Sequence, residues 1–176
     1  MKTLLLAACL LPVSATVWAK PCPQTGNEAP LALHKSWILQ GWERKPGDPP
    51  FVFAQKMRRY YDLASPQGVF YDNFAPGQTQ LFHNAGLYGA NWEALQNNAR
   101  SIAHALTGGH DQIAGSKVAS TTLGFVGKLH RQDDEIIAFD GRSQLGWVCQ
   151  KGHWKIRHEM NYAWLVKPEA IASYLN

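Results

Sequence analysis

Apolar residues recur at helical spacing through the first half of the chain and alternate with polar ones through the second. That order predicts helices followed by a sheet. Leu31, His34, Ile38 and Trp42 share one helical face, which runs up to the breakers Pro46 and Gly47. Thr25-Gly26-Asn27-Glu28 has capping-box spacing ahead of it, and Pro30 suits its first turn. Asp48-Pro49-Pro50 opens a second, short helix with Phe53, Met57 and Tyr60 or Tyr61 on one face. A strand over 69–74 follows, ended by Pro76-Gly77. Asn91 is positioned to cap a third helix with Trp92, Leu95, Ala99, Ile102 and Leu106 as its buried stripe, stopped by Gly108-Gly109. Strands are predicted near 112–121, 122–131, 135–149 and 153–165.

The last hairpin carries the sharpest pattern. With Lys151-Gly152 as a two-residue turn, Cys149 faces Trp154, Trp147 faces Ile156, Leu145 faces His158 and Ser143 faces Met160. These residues share one face, continued by Tyr162 and Trp164. Arg142, Gln144, Lys155, Arg157, Glu159 and Asn161 take the other face. A slip of one residue would mix the two sets. The register therefore predicts that His158 points toward the helices and that Arg157 and Glu159 point away. Three helices covering so wide an apolar stripe make a single α+β domain.

Composition narrows the function classes. The formal charge of +4 is spread over 176 residues, and acidic residues lie beside most of the basic ones. A nucleic-acid reader would carry a basic stripe, so no nucleic-acid partner is expected. Lys2, the apolar run from Leu4 to Val13, and the small residues Val17 and Ala19 predict a secretory signal peptide over 1–19. The product would be exported, periplasmic or secreted. The run is too short to span a bilayer. Residues 20–27 then form an N-terminal segment and 28–176 one domain. Cys22 and Cys149 remain after cleavage, either as one disulfide or as two separate thiols. The chain carries no Cys-x-x-Cys, His-Glu-x-x-His, phosphate loop or Gly-x-Ser-x-Gly. Neither a metal nor a cofactor is expected.

Three stretches resemble the nuclear transport factor 2-like superfamily, of the SnoaL-like, ketosteroid-isomerase-like kind. They are Gly68 to Pro76, Trp92 to Leu106, and Asp140 through the run Gly152-His153-Trp154-Lys155-Ile156-Arg157-His158. The resemblance covers roughly residues 28 to 166. It implies N-terminal helices packed on a curved, mainly antiparallel sheet that forms a cone with an interior pocket. It also puts Asp72 at the position of the general base of the ketosteroid isomerases. The position expected for their second acid falls near Gln144 or Leu145, which cannot take that part.

Fold alone does not assign a function. The first expectation is an exported pocket domain that binds a small apolar or aromatic molecule, with Tyr60, Tyr71, Trp147, Met160 and Tyr162 as its walls and Arg100 within reach of an anionic group. The second is a proton-transfer enzyme, an isomerase or dehydratase, that uses Asp72 and His158 as a catalytic pair. The third is a homodimer through the sheet without a ligand. His104, just off the stripe of the third helix, is expected at the surface.

Overall fold

The structure is a computed structural model that describes residues 20–175. The expected signal peptide lies outside the described residues. Helix α1 (Pro30–Ser36) starts on its proline, and its N-cap Ala29 makes no side-chain bond, so the capping box is not used. It continues into one π turn, Trp37–Gly41, closed by a 3.1 Å bond from the Trp42 N–H to the Trp37 carbonyl. A π turn is wider than an α turn, and here it sends Trp37, Ile38 and Trp42 all to the interior. Helix α2 (Phe53–Lys56) is a single turn.

Helix α3 (Ala85–Asn98) begins earlier and ends earlier than its apolar stripe predicts. Its cap is Asn84, whose side chain accepts from Leu87 N–H at 2.8 Å, and not Asn91. The Asn97 amide holds both backbone groups of Phe51, at 2.7 and 3.0 Å. Past Asn98 the backbone finds partners on both sides. Ile102 exchanges two 2.9 Å bonds with Arg44, and the opposite edge pairs with the next strand. Tertiary pairing overrides the helical spacing, and Ile102, His104 and Leu106 lie on a strand.

The six strands are β1 (Val69–Asp72), β2 (Leu81–Phe82), β3 (Ala99–Ala114), β4 (Val118–Arg131), β5 (Ile136–Gln150) and β6 (His153–Val166). They form one sheet in the order β2-β1-β6-β5-β4-β3. Every pairing is antiparallel except β1 on β6, which is parallel. The turn between β3 and β4 falls at 115–117. The helices pack on one face of the sheet over a core that includes Trp37, Phe53, Tyr61, Leu145, Trp147 and Trp154. Cys22 and Cys149 are joined as a disulfide across 127 positions of sequence. It ties the N-terminal segment to β5, and on the neighbouring β6 Trp154 Nε1 donates to the Pro23 carbonyl at 2.6 Å. Among the described residues no helix is long and apolar enough to cross a membrane.

The final hairpin follows the expected register only near its turn. Cys149 faces Trp154 and Trp147 faces Ile156, as the two-residue turn requires. The register then shifts: Gly146 faces His158, Leu145 faces Glu159, Gln144 faces Met160 and Ser143 faces Asn161. Arg157 is the extra residue of a β-bulge, and one inserted residue reverses the facing of every position beyond it. The bulge lies where β6 changes partner, from the Tyr60–Asp62 backbone to β1. Arg157 reaches sideways there, to the Gln67 carbonyl at 3.0 Å and to Asp62 at 3.3 Å. His158, Met160, Tyr162 and Trp164 consequently lie on the outer face, exposed, and Glu159, Asn161 and Ala163 point inward, buried. The expected inward His158 is thus corrected to an outward one.

Candidate functional site

A cavity of about 400 Å³ opens between the helices and the inner face of the sheet. The π turn supplies Trp37, Ile38 and Trp42 to its wall, and α3 supplies Tyr88, Trp92 and Gln96. The opposite wall comes from β3, β4 and β5, with His104, Phe125 and Phe139 in edge-to-face contacts at 5.8–6.3 Å between ring centroids. Two inward glycines make room for those rings. A Cβ at Gly127 would lie 2.2 Å from Phe139, and one at Gly141 would lie 2.7 Å from Phe125.

One end of the cavity is polar. Asp72, at the last position of β1, places one carboxylate oxygen on the Phe74 N–H at 2.8 Å, which shapes the turn that follows. Its other oxygen accepts from Asn161 Nδ2 at 3.1 Å and from the Tyr88 hydroxyl at 3.2 Å. Glu159 lies behind these groups, fully buried. Tyr61 OH donates to its Oε2 at 2.5 Å, and its Oε1 meets Tyr88 OH at 2.7 Å and Asn161 Nδ2 at 2.6 Å. Trp37 Nε1 donates to Tyr61 OH at 2.9 Å.

Counting protons narrows the states open to this cluster. Indole N–H only donates, so Tyr61 OH accepts from Trp37 and spends its own proton on Glu159 Oε2. Tyr88 has one proton for two acid oxygens. Among the described residues, neither acid has an ion-pair partner. If Glu159 is protonated on Oε1, it donates to Tyr88 OH, Tyr88 donates to Asp72, and each contact carries one proton. Burial agrees: it pushes the Glu159 carboxyl up to about 8, against the pull of the tyrosine hydrogen bonds. Burial also raises Asp72, offset by its bonds from Asn161, Phe74 and Tyr88. Both tyrosines are pushed well above their ordinary value, by burial first and then by the Glu159 charge. With the proton on Glu159, the cluster is one neutral acid, two phenols and one carboxylate at the cavity wall.

His104 lies on the cavity wall and not at the surface, and burial lowers it to about 4, so the ring is neutral. Its Nδ1 has no hydrogen-bond partner, and neither do Gln96 Oε1, Asn161 Oδ1, Trp42 Nε1 and Trp92 Nε1. All five belong to side chains that line the cavity.

Of the residues expected at the site, Asp72 lies on the cavity wall. His158 is on the opposite face of the sheet, and the expected dyad does not form, because the bulge at Arg157 turns His158 away. Met160 and Tyr162 are on that outer face for the same reason, 50% and 56% exposed. Tyr71 also lies outside the cavity, its hydroxyl on Gln80 at 3.5 Å. Tyr60 and Trp147 are core residues, bonded to Ser36 at 2.7 Å and Thr121 at 2.8 Å respectively. Arg100, on β3, pairs with Asp134 at 2.7 Å, outside the cavity. Tyr88 escaped the sequence reading, and Glu159 and Asn161 were expected on the outer face. Gly146, a glycine inside a strand, was the available sign of a bulge.

Solved structures share this architecture. A protein from Xanthomonas campestris, named for the calcium/calmodulin dependent protein kinase II association domain, superposes with a TM-score of 0.56 at 14% identity, over 84% of this chain and 93% of that one. A protein from Kribbella flavida gives 0.54 at 16% identity, over 69% and 83%. A nuclear transport factor 2-like superfamily protein from Salmonella enterica gives 0.50 at 14% identity, over 61% and 75%. No protein-family model and no curated protein matches the sequence. The fold is that of the nuclear transport factor 2-like proteins: helices packed against a six-stranded mixed sheet, with the cavity between them. At these identities the likeness concerns the fold and not the activity.

Proposed function

We propose that this chain is an exported binding module that holds one small, largely apolar molecule in the cavity of the cone. The observation that carries the reading is the aromatic-walled cavity of about 400 Å³, with a short polar end at Asp72, Tyr88 and Asn161. Ligand sites typically combine an apolar wall with a few convergent polar groups, at volumes of roughly 300–1,000 Å³. The Cys22–Cys149 bridge supports an oxidising compartment, and so export.

Titration with 2-naphthalenemethanol, followed by calorimetry and tryptophan fluorescence, tests the reading. Saturable one-to-one binding is expected, with Kd on the order of 10–100 µM for a probe of this size. Ala163 lines the cavity, and Ala163→Phe should abolish binding. Binding that survives this substitution, or no saturable binding to the wild type, refutes it.

Two other readings keep an observation each. Proton transfer would use Asp72 alone at the cavity, with Tyr88 and the neutral Glu159 behind it, because His158 is on the other face. A homodimer through the sheet would cover Val69, Met160, Tyr162 and Trp164, which are 41–50% exposed for all but Tyr162, at 56%.

A further inference from the structure

The chemistry of the ligand can be taken one step further, on the footing that the cavity binds a small molecule. Its lining includes Asp72 but no lysine or arginine, and its one histidine is uncharged. An anionic ligand would meet a carboxylate and no counter-charge. The two buried acids, Asp72 and Glu159, share one hydrogen-bond cluster and have no cationic partner among the described residues. A buried carboxylate without a counter-charge is costly, and a neutral ligand would leave it so.

The remaining lining suits a cation in two further ways. Trp42, Phe74, Tyr88, Trp92, Phe125 and Phe139 present aromatic surface around the cavity, and aromatic faces attract ammonium groups. The unpartnered atoms on buried lining side chains include two amide oxygens, Asn161 Oδ1 and Gln96 Oε1. An ammonium group offers up to three donors, and Asn161 Oδ1 is the amide oxygen whose side chain touches Asp72. Asn161 stands beside Asp72, with its nitrogen already committed to the two acids.

We propose that the cavity is a site for a small organic cation, an amine with an aromatic or aliphatic body, whose ammonium group sits at Asp72. The body fills the space between the tryptophans of the helices and the phenylalanines of the sheet.

Three near-isosteric probes decide it: 2-naphthylmethylamine, 2-naphthalenemethanol and 2-naphthoate, titrated at pH 7 into the full exported chain. The amine, as its ammonium ion, is expected to bind at least tenfold more tightly than the alcohol, and the carboxylate is expected not to saturate. The chain itself carries a formal charge of +4 with its leader, so non-specific attraction would favour the carboxylate and cannot produce this order. Asp72→Asn should weaken amine binding at least tenfold more than it weakens alcohol binding. Equal or tighter binding of the alcohol or the carboxylate by the wild-type chain overturns the cation proposal and leaves the cavity reading standing. An equal loss of amine and alcohol binding in Asp72→Asn also overturns it. If that variant does not fold, the wild-type order alone decides. If none of the three probes binds, both the proposal and the cavity reading fall.

Discussion

Glu159 makes the stability of this domain depend on pH, with a sign that can be worked out. Its carboxyl titrates at about 8 in the folded chain against an ordinary 4.5, because burial disfavours the charge. Between those values the folded state holds a proton that the unfolded state has lost. Stability therefore falls as pH rises, by up to about 1.4 kcal/mol per pH unit. His34 and His104 act in the opposite sense. Burial lowers them to about 3 and about 4 from 6.5, and His34 stays neutral between Thr121 Oγ1 at 2.8 Å and Ser143 Oγ at 3.0 Å. Their contribution is complete above about 6.5 and is lost as pH falls below it. The two histidines outweigh Glu159 on the acid side, and Glu159 acts alone on the alkaline side. Urea unfolding followed by tryptophan fluorescence should give a maximum near pH 6–7. Glu159→Gln isolates the acid's share, because Gln has the shape of the protonated acid and does not titrate. From pH 5 to pH 8 the wild type should lose about 3–4 kcal/mol relative to the variant, at the same slope. A difference curve that stays flat across that range, within about 1 kcal/mol, refutes the neutral buried acid and the proton order built on it.

Two further predictions concern the cavity wall and the bridge. Gly127→Ala places a methyl 2.2 Å from Phe139 and 2.9 Å from His104. It should destabilise by about 1–3 kcal/mol and weaken binding of 2-naphthalenemethanol severalfold; unchanged urea midpoint and affinity would show that the two rings do not bound the cavity. Replacing Cys22 and Cys149 together by Ser should cost roughly 2–5 kcal/mol, since the bridge spans 127 positions; equal urea midpoints for the oxidised, reduced and doubly substituted proteins would refute a native bridge.

Much of the architecture was legible because it rests on local signals. Pro30 opens α1, and Lys151-Gly152 makes the hairpin turn, both residues at positive φ as a two-residue turn requires. Helices before strands, and a sheet apolar on its helix side, follow from periodicity alone. The join between α3 and β3 was not legible, for a physical reason. Trp92, Leu95, Ala99, Ile102 and Leu106 keep a helical period, yet Ile102 gains a backbone partner at Arg44, 58 positions earlier in the chain, that no local pattern encodes. His104 moved from an expected helix surface to the cavity wall through that one change.

The site turned on a single inserted residue. An unbroken two-residue period assigned Met160, Tyr162 and Trp164 to the interior and Glu159 and Asn161 to solvent, which is the arrangement that hydrophobicity favours. The bulge at Arg157 reverses both assignments. Burying Glu159 is costly, and the fold meets that cost with hydrogen-bond partners: Tyr61 and Tyr88, from far away in sequence, and Asn161, two positions on, converge on one carboxyl. Exposing Met160, Tyr162 and Trp164 costs burial on the other face. A strand that gives up apolar burial for a buried acid breaks the local rule twice at one place. Such conflicts concentrate where function, and not folding, selects the residue. The bulge thus points to the same spot as the cavity: the Asp72–Tyr88–Glu159 cluster holds the groups that core packing alone would have excluded, and it stands at the polar end of the space where a ligand would lie.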